Sequence, residues 1–117
     1  MKADWQRLQE EAERVVRQTA EGLPAEVAVP AARVPVIFKP LPAAQEDDDL
    51  LGLFLGPTAA EPDLIGPPRI ELYLHNLWDY AEEDEELFYE EVRITFLHEL
   101  GHYLGWDEDE LESRGLG

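Results

Sequence analysis

Two histidines near the carboxyl end of the chain have the spacing of a metal site. His98-Glu99-Leu100-Gly101-His102 matches H-E-x-x-H, a pattern in which two imidazoles bind one zinc ion and the glutamate acts as general base. On a helix of 3.6 residues per turn, His102 lies about 40° around the axis from His98, whereas Glu99 lies about 100° from it. The two histidines can therefore share one ion, and Glu99 is predicted to take the proton of a water activated by that ion.

A catalytic zinc takes three protein ligands, so a third ligand must come from another part of the chain. The longer pattern H-E-x-x-H-x-x-G-x-x-E ends at Glu108 and has metzincin spacing, with glutamate in place of the third histidine. Gly105 is expected to end the helix and let the chain fold back toward the metal. Because the only methionine is Met1, a metzincin Met-turn is impossible. Glu108 is the predicted third ligand, and the alternatives left open are Asp107, Asp109 and Glu112.

Helices should position most of these groups. Apolar residues from Leu87 to Leu104 recur at helical spacing and predict the helix that carries the motif. The same spacing between Asp4 and Glu21 predicts an amphipathic N-terminal helix with Asp4 as N-cap. The acidic segment from Asp107 to Leu111 can start one more short helix.

Three segments are predicted strands. Arg69–Asn76 shows the clearest alternation of apolar and polar residues. Leu50–Pro57 is a short apolar segment whose glycines permit close backbone approach. Val27–Phe38 is rich in β-branched residues but contains Pro30 and Pro35, so a broken or bulged strand is expected there.

Composition narrows the class of protein. The chain has 117 residues, which fits one domain spanning residues 1–117. It has no cysteine, so a metal site must use His, Asp or Glu. Its formal net charge of −18 disfavours nucleic acid and favours cations or basic polypeptides as partners. No apolar run of membrane-spanning length and no signal peptide is recognisable, so the expected location is the cytoplasm, away from membranes.

The segment from Arg93 to Leu111 resembles the small bacterial "possible zincin" family of minimal metallopeptidase-like proteins. Leu50–Phe54 and Arg69–Tyr73 also fit, so the resemblance covers roughly residues 50–114. The family usually has aspartate where this chain has Glu108, which implies ligation by a carboxylate. The resemblance also implies an α+β, minimal zincin-like fold in which a small mixed sheet packs against the N-terminal helix and the H-E-x-x-H helix.

The sequence also suggests roles for a possible edge strand, for the third histidine and for two of the tyrosines. By analogy with zincins, Leu50–Leu55 is the natural sheet edge for a peptide substrate, against the alternative of a plain core strand. His75 is expected at the surface rather than at the metal. Tyr73 and Tyr103 could donate to a tetrahedral oxyanion, but packing is the more favoured role of each.

The predicted function is hydrolysis of peptide bonds, with Zn²⁺ polarising the scissile carbonyl and Glu99 passing a proton to the leaving amine. Basic peptides are the favoured substrates because the chain is so acidic. The alternative is a zincin scaffold that binds metal or a partner protein without meaningful turnover. It is motivated by the short chain, which leaves little material for specificity pockets.

Overall fold

The computed structural model describes residues 4–61 and 66–114. Its strands form one mixed sheet in the order β1-β3-β2, with β1 parallel and β2 antiparallel to β3. The motif helix, α4, packs against α1 on one side and against β2 and β3 on another. The elements are α1 (Trp5–Glu21), α2 (Ala25–Ala31), β1 (Val36–Lys39), β2 (Gly52–Leu55), β3 (Arg69–Tyr73), α3 (Leu74–Tyr80), α4 (Glu85–Tyr103) and α5 (Glu108–Ser113). This architecture confirms the predicted α+β fold with a small mixed sheet.

The N-terminal helix α1 forms as its sequence pattern predicts. The Asp4 side chain accepts a hydrogen bond from the Arg7 amide at 2.8 Å and so caps the first turn. Leu8, Ala12 and Val15 are buried at helical spacing. Within the described residues, no helix combines the length and apolar character needed to cross a bilayer.

The motif helix α4 is the central element of the fold. Asp84 caps it by accepting a hydrogen bond from the Leu87 amide at 3.0 Å. The turn that precedes it uses left-handed backbone conformations at Glu82 and Glu83, with φ of 55° and 58°. Toward its carboxyl end α4 is buried on most sides, because α1, α3 and the sheet all surround it. The histidine motif therefore lies on a helix that packs against α1, α3 and the sheet.

The prediction of one broken strand over Val27–Phe38 is wrong in its first half. Residues Ala25–Ala31 form helix α2, and only Val36–Lys39 is a strand. The Pro24 carbonyl accepts the amides of Val27 and Ala28, which starts a helical turn in an alanine-rich segment. The β-branched residues misled the prediction because only Val27 packs in the core, whereas Val29 is exposed on the helix surface.

The strand predicted over Arg69–Asn76 ends early. Strand β3 stops at Tyr73, and Leu74 begins helix α3. The reason is a change of period, since Leu74, Leu77 and Trp78 are buried at helical spacing. The apolar-polar alternation of the sequence continues past Tyr73, but the backbone there is helical.

Strand β2 lies at one edge of the sheet, as expected for Leu50–Leu55. A Cβ at Gly52 would lie 2.7 Å from Thr95 Cγ2 and 3.1 Å from the Glu71 carbonyl oxygen. Only glycine therefore permits this close approach of β2 to α4. Because Thr95 is one turn before the histidine motif, the contact brings the edge strand beside the site.

The polar face predicted for β3 is in fact buried. Glu71 is 4 % exposed and Tyr73 1 %. The Glu71 carboxylate accepts a hydrogen bond from the Tyr73 hydroxyl at 2.8 Å and forms salt bridges with Arg69 at 2.9 Å and Lys39 at 3.0 Å. Three donors thus replace the water that burial removes from this carboxylate.

Glu71 should make stability depend on pH. Burial raises the pKa of the Glu71 carboxyl, but the hydrogen bonds from Arg69, Lys39 and Tyr73 outweigh burial and hold the pKa below its ordinary value. Because the pKa is lower in the folded chain, the ionised group stabilises the fold above the unfolded-state pKa of about 4.3, and this contribution is lost as pH falls through the folded-state pKa. Glu71→Gln is expected to lower the free energy of unfolding at neutral pH by about 1–3 kcal/mol.

Urea denaturation of wild type and Glu71→Gln at neutral and acidic pH measures this contribution. The difference between the two proteins should shrink as pH falls below about 4. Glu90→Gln is the control, because its salt bridge with Arg93 is about half exposed and contributes little. A difference for Glu71→Gln that is independent of pH would contradict the role of the ionised carboxylate.

Candidate metal centre

The two histidines of the motif converge as the helix geometry predicts. His98 and His102 lie on successive turns of α4, with their Nε2 atoms 3.0 Å apart. Their ring centroids are 4.6 Å apart and the ring planes are nearly perpendicular. Both side chains are partly exposed. The pair is thus open to solvent on one side and held by the central helix on the other.

Glu99 completes the group of potential ligands. One carboxylate oxygen of Glu99 and one nitrogen of each histidine all lie within 4.8 Å of one another. Glu99 is 8 % exposed, so its carboxylate sits in a poorly hydrated place beside two partly exposed imidazoles. A carboxylate in such a place can act as a proton acceptor toward a water held at the imidazoles.

The donor set fits a zinc ion. Two histidine nitrogens bound at about 2.0–2.1 Å to a tetrahedral ion are roughly 3.3 Å apart, close to the 3.0 Å between the Nε2 atoms of His98 and His102. Imidazole and carboxylate are both ordinary zinc ligands. Because the chain has no cysteine, its zinc ligands would have to be histidine, aspartate or glutamate. A small opening of the ring pair would accommodate the ion.

Gly105 ends the motif helix in the predicted way. Its φ is +82°, a left-handed conformation that glycine adopts at little cost. The Gly105 amide bonds to the His102 carbonyl and the Trp106 amide to the Gly101 carbonyl, both at 3.0 Å, which is the Schellman pattern. The chain therefore reverses directly after His102 and leads into the acidic segment.

The residues predicted as third ligand all lie in this acidic segment. The described candidates Asp107, Asp109 and Glu112 do not join the group formed by His98, Glu99 and His102. Asp107 instead caps α5 by accepting a hydrogen bond from the Glu110 amide at 2.9 Å. Glu108 is the first residue of α5, and its side chain lies outside the described residues. Glu108 as third ligand stays a prediction.

His75, Tyr73 and Tyr103 contact other side chains outside the histidine motif. His75 is exposed in α3, with its ring 5.9 Å from that of Trp5, as expected for a surface histidine. Tyr73 donates its hydroxyl proton to Glu71. The Tyr103 ring is buried against Phe54, 5.7 Å between centroids. These contacts agree with the packing roles favoured for Tyr73 and Tyr103.

A cavity of about 340 Å³ adjoins the histidine motif. It lies between α4 and the start of β2, and Gly52, His98 and Glu99 are among its lining residues. Sequence reasoning missed two of its other lining residues, Tyr80 and Glu91. Glu91 could have been found from its position seven residues before His98, which places it on the same face of the helix. Tyr80 has no such local signal, because the fold of α3 brings it there.

Comparison with known proteins agrees with this geometry. The sequence model of the zincin-like metallopeptidase family matches residues 25–116, more than three quarters of the chain. This match begins well before the segment whose motifs carry the resemblance. No curated protein matches the chain closely enough to supply a named relative. With its paired histidines, adjacent glutamate and glycine-terminated helix, the chain belongs to the family of zincin-like metallopeptidases.

Proposed function

We propose that this protein is a zinc-dependent peptidase that works in the cytoplasm. In this proposal His98 and His102 bind the zinc ion, Glu108 is the third ligand and Glu99 is the general base. The observation that carries the proposal is the convergence of the two Nε2 atoms, 3.0 Å apart, beside a buried carboxylate on the same helix.

When bound at this site, zinc would lower the pKa of a water molecule and polarise the scissile carbonyl. The other tasks fall to the chain itself. Glu99 accepts the proton that the attacking water loses and delivers it to the leaving amine. Its burial leaves few competing waters around the carboxylate, which favours this transfer.

The edge strand β2 is suited to holding an extended peptide. The Tyr73 amide donates to the Leu51 carbonyl at 3.0 Å, so Leu51 and Leu53 direct their backbone groups toward β3. The alternate residues, Gly52 and Phe54, then direct their N–H and C=O groups toward the open edge. A peptide added there as a further strand would lie beside His98 and Glu99, since Gly52 lines the same cavity.

Removal and restoration of zinc tests the proposal. Wild-type protein treated with a chelator is expected to lose at least about 99 % of its cleavage of a mixed peptide library, and one equivalent of Zn²⁺ should restore it. New peptide termini are detected by mass spectrometry, and bound zinc by elemental analysis. Stoichiometric zinc without any cleavage would contradict the peptidase and support the alternative, a zincin scaffold that binds metal or a partner protein.

A further inference from the structure

The cavity beside the motif combines apolar walls with acidic charge. Leu50, Leu51 and Ile94 contribute apolar surface. Among the described residues that line it, the acids are Glu91 and Glu99, and there is no lysine or arginine. A long side chain with a cationic end matches this distribution, because its stem can cover apolar surface while its charge meets a carboxylate.

Glu91 lies on the face of α4 that carries the histidines. Seven residues separate Glu91 from His98, which corresponds to a rotation of only about 20° and a rise of about 10 Å. Thr95 lies between them on the same side of the helix and also lines the cavity. Glu91 therefore lies about two helical turns before His98 and lines the same cavity.

Neighbouring acids on α4 differ in their partners. Glu90 is held by Arg93, with a carboxylate oxygen 2.6 Å from a guanidinium nitrogen. For Glu91, no such hydrogen bond or salt bridge is found within residues 4–61 and 66–114. Glu91 is half-buried at the cavity and can offer its charge to a cation from outside the chain.

A second cavity continues the acidic surface. Its volume is about 500 Å³, and it shares the lining residues Leu51 and Tyr80 with the first cavity. Its charged lining residues are Asp49 and Asp79. The two cavities, which share Leu51 and Tyr80, are hereafter together called the acidic groove; its lining includes His98 and Glu99 from the first cavity and Asp79 from the second.

We propose that the acidic groove selects peptides with a lysine or arginine next to the reacting bond, and that Glu91 is the residue that recognises this side chain. The inference rests on the proposed function, because the groove adjoins the group formed by His98, Glu99 and His102. Glu91 acts on substrate choice and takes no part in proton transfer. A basic side chain gains an ion pair there, whereas an acidic one meets repulsion.

Binding to an uncleaving protein tests the proposal. Zinc-loaded Glu99→Gln is titrated into a fluorescent alanine-rich peptide that contains one arginine, and into the same peptide with glutamine at that position. Adding Glu91→Gln is expected to weaken binding of the arginine peptide about fivefold and to leave the glutamine peptide unchanged. Adding Glu90→Gln is the matched control, since it makes the same charge change on the same helix, and should alter neither affinity by more than about twofold.

The outcomes separate this inference from the proposed function. Equal losses from Glu91→Gln and Glu90→Gln would overturn it, because the effect would then come from the overall negative charge. Failure of the arginine peptide to bind more tightly than the glutamine peptide would overturn it as well. If wild type cleaves both peptides equally well, peptidase function stands and the selectivity falls. If Glu91→Gln selectively weakens the arginine peptide but wild type cleaves nothing, the selectivity stands and peptidase function falls.

Discussion

Glu99→Gln is expected to reduce the rate of peptide cleavage by about 10²–10⁴-fold, the usual contribution of a general base. Glutamine has nearly the shape of glutamate but cannot accept the proton of the attacking water. Because His98 and His102 remain in place, the variant should still bind one equivalent of zinc. Cleavage is measured as the rate at which new amino termini appear at saturating peptide, and zinc by elemental analysis of the same samples.

The control for this comparison is Glu90→Gln, which changes the charge of the same helix at a residue paired with Arg93. It should cleave at nearly the wild-type rate. Urea midpoints of all three proteins establish that they are folded. Equal rates for wild type and Glu99→Gln, with zinc bound to both, would exclude Glu99 as the general base.

His98→Ala and His102→Ala are each expected to weaken zinc binding by more than about 100-fold. Loss of one imidazole removes a zinc ligand. Even residues that only hydrogen-bond to zinc ligands contribute about 10–100-fold to zinc affinity, so loss of a ligand itself should have a larger effect. A competition titration against a chromophoric chelator measures the dissociation constant directly. His75→Ala is the matched control, because His75 of α3 contacts Trp5 of α1 and its loss should leave the affinity unchanged.

The same titration identifies the third ligand. Glu108→Gln should weaken zinc binding, whereas Asp109→Asn should not. Asp107→Asn keeps an N-cap that can accept the Glu110 amide, so it should leave both α5 and the zinc affinity intact. Loss of affinity in Asp107→Asn with none in Glu108→Gln would show that the metal draws Asp107 away from its capping position.

Local sequence determined the chemical core of the site. The convergence of His98 and His102 follows from a spacing of four residues on a helix, and the helix follows from its own apolar period and the Asp84 cap. The turn at Gly105 follows from the tolerance of glycine for positive φ. Each of these depends on residues only a few positions apart, so short-range geometry suffices to predict it.

The wrong predictions arose in segments whose apolar residues fit both the spacing of a helix and the alternation of a strand. In the Val27–Phe38 segment, β-branched residues suggested a strand, but α2 forms because tertiary packing uses only Val27 of its two valines. At Leu74 the alternation of β3 gives way to the helical spacing of α3. Propensity over so few residues is a weak guide, and contacts with the rest of the core decide between helix and strand.

Only the tertiary structure decided what surrounds the group formed by His98, Glu99 and His102. The approach of Gly52 to Thr95 sets the edge strand beside the histidines, and the fold of α3 brings Tyr80 to the cavity that Glu91 lines. Across the sheet, Lys39 of β1 forms a salt bridge with the buried Glu71 of β3. These arrangements join residues far apart in the chain or on different elements, so their energies depend on packing that no local pattern records. The sequence by itself therefore determined the pair of histidines and their glutamate, while the fold determined the groove in which a substrate would meet them.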